Sequence, residues 1–152
     1  MSKEMADRFV AGLHALEDNR DVEALAALYT DDAEVGNVVA PEKFKGQQGA
    51  REFWTTYRDT FGEVHSEFRN IFATENRAAL EWHTSGTSTN GNPVEYEGVT
   101  LLEIEGDKVT RSRAYFHAGG LGRQVVQEPA RAEAEAKAAA GEAETDAGVQ
   151  GA

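Results

Sequence analysis

The chain has 152 residues, 40% of them hydrophobic, with 27 acidic against 15 basic residues and a formal net charge of −12. That length holds one domain with a single core, and so acidic a chain is repelled by nucleic acid and by anionic membranes. It contains no cysteine, which excludes disulfides, thiol catalysis and cysteine-ligated metal. No apolar run approaches the roughly 18 residues of a membrane span, and Met1–Asp7 has no apolar leader character, so a cytoplasmic protein is expected.

In chain order, Phe9, Val10, Leu13 and Leu16 recur at helical spacing and predict an amphipathic helix over Met5–Glu17. Asn19-Arg20-Asp21 breaks it, and Asp21 is placed to cap a second short helix burying Val22, Leu25, Leu28 and Tyr29. A short strand follows over Ala33–Val39, then a loop from Pro41 to Gly49. From Ala50, the pattern Phe53, Trp54, Tyr57 and Phe61 predicts a third helix ending near Gly62. The rest is a four-strand antiparallel meander starting with Val64–Ala73. Helices segregated against an antiparallel sheet make the class α+β. After Val126 the composition turns to alanine, glutamate and glycine. Residues 1–126 are therefore expected to form the domain and 127–152 an acidic tail, disordered or transiently helical.

Two turn signals allow a register to be written. Asn90-Gly91 suits a two-residue type I′ loop and Gly106-Asp107 a second tight loop. The first pairs His83 with Gly98 and Glu81 with Thr100. The second pairs Gly98 with Tyr115 and Tyr96 with His117. Since paired residues share a face, one face is expected to carry Glu81, His83, Ser85, Tyr96, Thr100, Leu102, Ile104, Val109, Arg111, Arg113, Tyr115 and His117, joined by Phe68, Asn70 and Phe72. The other carries Leu80, Trp82, Val99, Leu101, Ala114 and Phe116. The first face is apolar at one end and polar-aromatic at the other, which suits a cone packed by helices and open to a ligand at its mouth.

Several segments together resemble a SnoaL-like domain, of the superfold shared by nuclear transport factor two, ketosteroid isomerase and limonene-epoxide hydrolase. They are Leu28-Tyr29-Thr30-Asp31-Asp32-Ala33-Glu34-Val35, Gly49-Ala50-Arg51-Glu52-Phe53-Trp54, Glu81-Trp82, Tyr96-Glu97-Gly98-Val99, Arg113-Ala114-Tyr115-Phe116-His117 and Leu121-Gly122-Arg123-Gln124. The resemblance covers about residues 5 to 126 and implies a cone-shaped half-open barrel, with N-terminal helices on the concave face of a curved antiparallel sheet. The superfold hosts isomerases, cyclases, hydrolases and non-catalytic binders. In the family's polyketide cyclases the last strand ends in two aromatics and an aspartate that serves as acid/base. Here that position is His117, so the aspartate mechanism does not carry over, although an imidazole also transfers protons near neutral pH.

His117 and Tyr96 are the candidate catalytic pair, as a general base and a hydroxyl donor to a developing enolate oxygen. His83, Tyr115, Glu81, Arg113, Trp54, Tyr57, Tyr29 and Phe68 are expected around the ligand, with Glu81 and Arg113 close enough for an ion pair and Trp54 and Tyr57 on the rear wall. His14 and His65 read as surface residues. His83 with His117 lacks a third ligand, so neither metal nor cofactor is expected. The implied function is a pocket for a small, mostly apolar molecule. It serves either a cofactor-independent isomerase or cyclase or a non-catalytic binding domain, and epoxide hydrolysis is less favoured for want of a second acid. Leu80, Trp82, Val99, Leu101 and Phe116 would leave an apolar outer sheet face, which predicts a homodimer.

Overall fold

The computed structural model describes residues 2–39 and 44–117, so the tail expected at 127–152 lies outside the described residues. Helix α1, Ser2–Asn19, buries Met5, Phe9, Leu13 and Leu16 along one stripe, as the periodicity requires. It ends in a left-handed (αL) cap: Arg20 takes φ 59°, its N–H bonds the Leu16 carbonyl, and the Asp21 N–H bonds that of Ala15. Helix α2, Glu23–Ala26, is one turn only. Leu28 and Tyr29 leave it because strand β1, Tyr29–Asn37, already pairs there, in parallel, with β6, Lys108–Phe116. A two-residue strand β2, Phe44–Lys45, occupies part of the expected loop. Helix α3, Gly46–Asp59, starts earlier than its aromatic stripe indicates, and Phe61 belongs to the next strand.

Strands β3 (Phe61–Ala73), β4 (Arg77–Ser88), β5 (Pro93–Glu105) and β6 form the expected meander. The sheet order is β2-β1-β6-β5-β4-β3, curved and unclosed, with the helices on its concave face. This is the expected α+β cone. Among the described residues no helix is long and apolar enough to cross a membrane.

The expected registers require correction. The β4–β5 loop has three residues, not two. Gly91 alone is left-handed, at φ 86°; its N–H bonds the Ser88 carbonyl, and the Ser88 N–H bonds that of Asn92. This is a type I turn closed by a left-handed glycine. Strand β4 thus slips by one: Thr84 faces Tyr96, Trp82 faces Gly98 and Leu80 faces Thr100. The Gly106-Asp107 loop is as expected, with Ile104 opposite Val109, but Thr110 forms a bulge and the pairing then shifts to Leu102 with Ser112 and Gly98 with Phe116. Strand β5 therefore has the expected faces, while both its neighbours are turned over. Leu80, Trp82, Ala114 and Phe116 point inward. Glu81, His83, Arg113 and Tyr115 point outward. A second bulge at Arg69 keeps Phe68 inward but turns Asn70 and Phe72 out.

Burial decides between the registers. Each large apolar side chain removed from water contributes about 1.5–3 kcal/mol, and burying Glu81 or Arg113 instead would cost several kcal/mol per charge. A turn-type preference is smaller than either. The inner face is filled by α1, α2 and β1 at the Leu80, Leu102, Ile104 and Val109 end. At the other end Phe61, Val64, Trp82, Val94 and Tyr96 form a smaller cluster, beside which the packing opens.

Candidate functional site

The opening is a cavity of about 330 Å³ bounded by Leu13 of α1, the α3 aromatics and the inner faces of β3 to β6. Its walls are a chain of aromatic contacts. Phe44 meets Phe53, Phe53 meets Trp54, Trp54 meets Tyr57 and Tyr57 meets Phe61, with centroids 4.9–5.7 Å apart. Tyr96 continues it, stacked with Phe61 at 6.5 Å and edge-on to Trp82 and Phe116 at 5.2 and 5.3 Å. Gly98 makes this possible, since a Cβ there would lie 2.8 Å from both the Trp82 ring and the Phe116 Cβ.

The wall consumes its own polar groups. Trp82 Nε1 donates to Thr100 Oγ1 at 2.9 Å. Trp54 Nε1 donates to the Tyr29 hydroxyl, which shares a hydrogen bond with the Ser112 hydroxyl. Tyr29 is thus a fully buried support behind the wall, and burial pushes its phenol up to about 12. Tyr57 lines the cavity and donates to Glu17 Oε2 at 2.8 Å. Tyr96 differs. It is 9% exposed, lines the cavity, and its hydroxyl makes no hydrogen bond among the described residues. Burial first, then the nearby Glu17 charge, raises its pKa, and Tyr57 is raised by burial, Tyr96 and Glu17 in that order. Both phenols stay protonated donors at neutral pH.

Behind this wall is a group that the sequence reading missed. Glu17 is 2% exposed, and its carboxylate accepts from Tyr57, from the Ser66 amide at 2.9 Å and from the Ser66 hydroxyl at 2.6 Å. Because Ser66 spends its hydrogen on Glu17, Thr84 donates in the 2.7 Å contact between the two hydroxyls. A chain of hydroxyls therefore runs from Thr84 in the cavity through Ser66 to a buried carboxylate. Glu17 falls on the buried stripe of α1, one position after Leu16 and four after Leu13, which is the signal available in the sequence.

The family model described as a SnoaL-like domain matches residues 6–112. The chain belongs to the SnoaL-like domain family. No functionally curated protein matches it. Similar solved structures include TerC co-crystallized with polyporic acid, at TM-score 0.69 and 17% identity, covering 80% of this chain and 97% of that one. A protein of ketosteroid isomerase-like fold from Catenulispora acidiphila, in complex with trimethylamine, gives TM-score 0.66 and 17% identity over 78% of this chain and 88% of that one. A protein from Jannaschia sp. CCS1 described as a SnoaL-like polyketide cyclase gives 0.65 and 14% over 75% and 83%. At these identities the likeness is one of fold.

Of the expected site residues, Tyr96, Trp54 and Tyr57 line the cavity of this SnoaL-like domain. Phe68 packs into both apolar clusters behind it. Tyr29 stays on β1 behind the wall, and the rest are displaced by the register shift. His83 lies on the outer face, with Nε2 2.8 Å from Glu95 Oε2. Glu81 accepts from Asn70 rather than pairing with Arg113, which sits over the Tyr115 ring at 5.4 Å. His117 follows Phe116 just past the end of β6 and is exposed, outside the described lining. The expected neighbours His117 and Tyr96 are therefore not brought together, because Phe116 holds the inward place opposite Gly98.

Proposed function

We propose that the cavity receives one small, mostly apolar, flat molecule bearing an oxygen acceptor, and that this oxygen sits on the Tyr96 hydroxyl. The observation that carries this reading is the Tyr96 hydroxyl itself: it opens onto an aromatic cavity and has no hydrogen-bond partner among the described residues. A ligand that fills the cavity shuts water out from this hydroxyl, and leaving it unpaired then costs about 1–3 kcal/mol, so a ligand that brings its own acceptor is favoured. Aromatic walls with one convergent donor select quinones, phenols and enones over saturated polar molecules.

A second reading, proton transfer next to a carbonyl as in an isomerase or cyclase, is favoured by the Thr84–Ser66–Glu17 chain. Tyr96 would hold the carbonyl oxygen and bind the enolate more strongly than the ketone, because the charged oxygen is the better acceptor. The proton leaving carbon would pass along the hydroxyls to Glu17. No carboxylate or imidazole reaches the cavity directly among the described lining residues, which is why binding is placed first.

Both tryptophans of the chain, Trp54 and Trp82, line the cavity, so intrinsic fluorescence reports its occupancy. Titration with polyporic acid and simpler hydroxyquinones should quench it saturably. The substitution Tyr96→Phe should weaken binding roughly fivefold, about 1 kcal/mol, and His83→Gln should leave it unchanged. Equal affinity for the wild type and Tyr96→Phe overturns the assignment of the donor. Deuterium uptake at the α-carbon of a bound enone, abolished in the Tyr96 variant, separates an enzyme from a binder.

A further inference from the structure

Outside the cavity, His14 and Glu17 sit three residues apart on one face of α1, and His65 lies across from them on β3. One ligand-type atom of each is within 4.8 Å of the other two. We propose that these three residues bind a late first-row divalent cation of the zinc class, through two imidazoles and one carboxylate, at the free edge of the sheet.

Each donor suits that role. Strand β3 is an edge strand, and the Ser66 backbone is capped by side chains of α1: Glu17 Oε1 accepts from its N–H, and its carbonyl accepts from His14 Nε2 at 2.9 Å. A carbonyl can only accept, so Nε2 carries the hydrogen and Nδ1 of a neutral His14 keeps a lone pair. Metal-binding histidines are commonly held in this way, with the second ring nitrogen donating to a backbone carbonyl. On Glu17, Oε2 holds the Tyr57 and Ser66 hydroxyls, whereas Oε1 accepts only the Ser66 amide among the described residues and retains a lone pair.

Edge capping accounts for His14 and Glu17 but not for His65. That ring is exposed, yet it stacks on His14 with centroids 5.4 Å apart and planes 14° from parallel. Nitrogen and oxygen ligands of tetrahedral zinc lie about 3.3 Å apart, given bonds of about 2.0 Å. Small turns of the exposed His65 and the half-buried His14 side chains bring the three donor atoms to that spacing around the buried Glu17 carboxylate. Two imidazoles and a carboxylate match the donor preference of zinc and nickel rather than that of calcium or magnesium, and water from the exposed side completes the coordination.

The test uses the full chain freed of metal with a chelator and titrated calorimetrically with zinc chloride. One ion per chain is expected, with His65→Ala weakening it roughly ten- to a hundredfold and His83→Ala, which alters the other histidine close to carboxylates, leaving it unchanged. As His65 is exposed, its alanine variant should fold, and circular dichroism verifies this. Zinc should also shift the imidazole resonances of His14 and His65 and not that of His83. The proposal is overturned by the absence of saturable binding up to about 1 mM zinc, by an affinity unchanged in His65→Ala, or by binding lost in His83→Ala.

Discussion

Tyr29, Tyr57 and Tyr96 each hold a phenol away from water, and the consequence is a pH dependence of known sign. In each case burial is the leading cause of the rise. An unfolded chain releases phenolic protons near pH 10, whereas folded Tyr29 keeps its own until about 12. Between these values the unfolded state binds fewer protons, so the contribution is fully present below about pH 10 and is lost as pH climbs toward 12. Urea midpoints should therefore fall across that window. Tyr29→Phe should flatten part of the fall, while costing about 1–2 kcal/mol at neutral pH by stranding Trp54 Nε1 and Ser112. An identical alkaline slope in the variant would remove Tyr29 from the account. Of the residues singled out from the sequence, Tyr96, Trp54 and Tyr57, whose aromatic character suits a cavity wall, line the cavity. The sequence reading missed Glu17, because burial of a carboxylate depends on the donors that meet it, and Ser66 lies 49 residues away.

At the scale of elements, the hairpins decide the site. The Asn90-Gly91 dipeptide serves a two-residue or a three-residue loop, and the choice inverts β4. The alternation Ala78, Leu80, Trp82 against Arg77, Glu81, His83 already marked the inward set, and it reflects far more free energy than the turn does. The bulge at Thr110 has no comparable local signal; Thr110 Oγ1 donates to the Glu103 carbonyl beside it. Gly98 is the hinge of the aromatic wall. A methyl group there would also collide with the Tyr115 carbonyl oxygen, so β6 must move. Gly98→Ala should lower stability by about 1–3 kcal/mol, as overpacking does, and change the fluorescence of Trp82. A variant as stable as wild type, with the same emission spectrum, would show that the strands separate freely there.

For the whole molecule, the homodimer expectation moves to other residues. Leu80 and Trp82 are buried and Phe116 is turned inward, so they cannot form the outer patch. Val99 and Leu101 remain outside, however, and three exposed large hydrophobics, Phe72, Leu101 and Tyr115, fall on two adjacent rows of that face. Charged residues border the rows, with Glu81 beside Val99 and Arg113 beside Leu101. An apolar band with charges of both signs can pair with a second copy about a two-fold axis. Light scattering at micromolar concentration should give twice the chain mass, and Leu101→Glu should reduce it to the monomer without lowering ligand affinity. A monomeric wild type would overturn this expectation.

The sequence by itself determined the α+β cone, the stripes of α1 and α3, the faces of β5 and the family, because these rest on local periodicity and on composition. Only the tertiary structure decided which sides of β4 and β6 face the cavity, that β1 runs parallel to β6, and that Glu17 sits behind the cavity. Each of those depends on one extra residue in a loop or bulge, or on partners far apart in the chain. Locally the alternatives are nearly equal in energy, and burial summed over the whole sheet separates them.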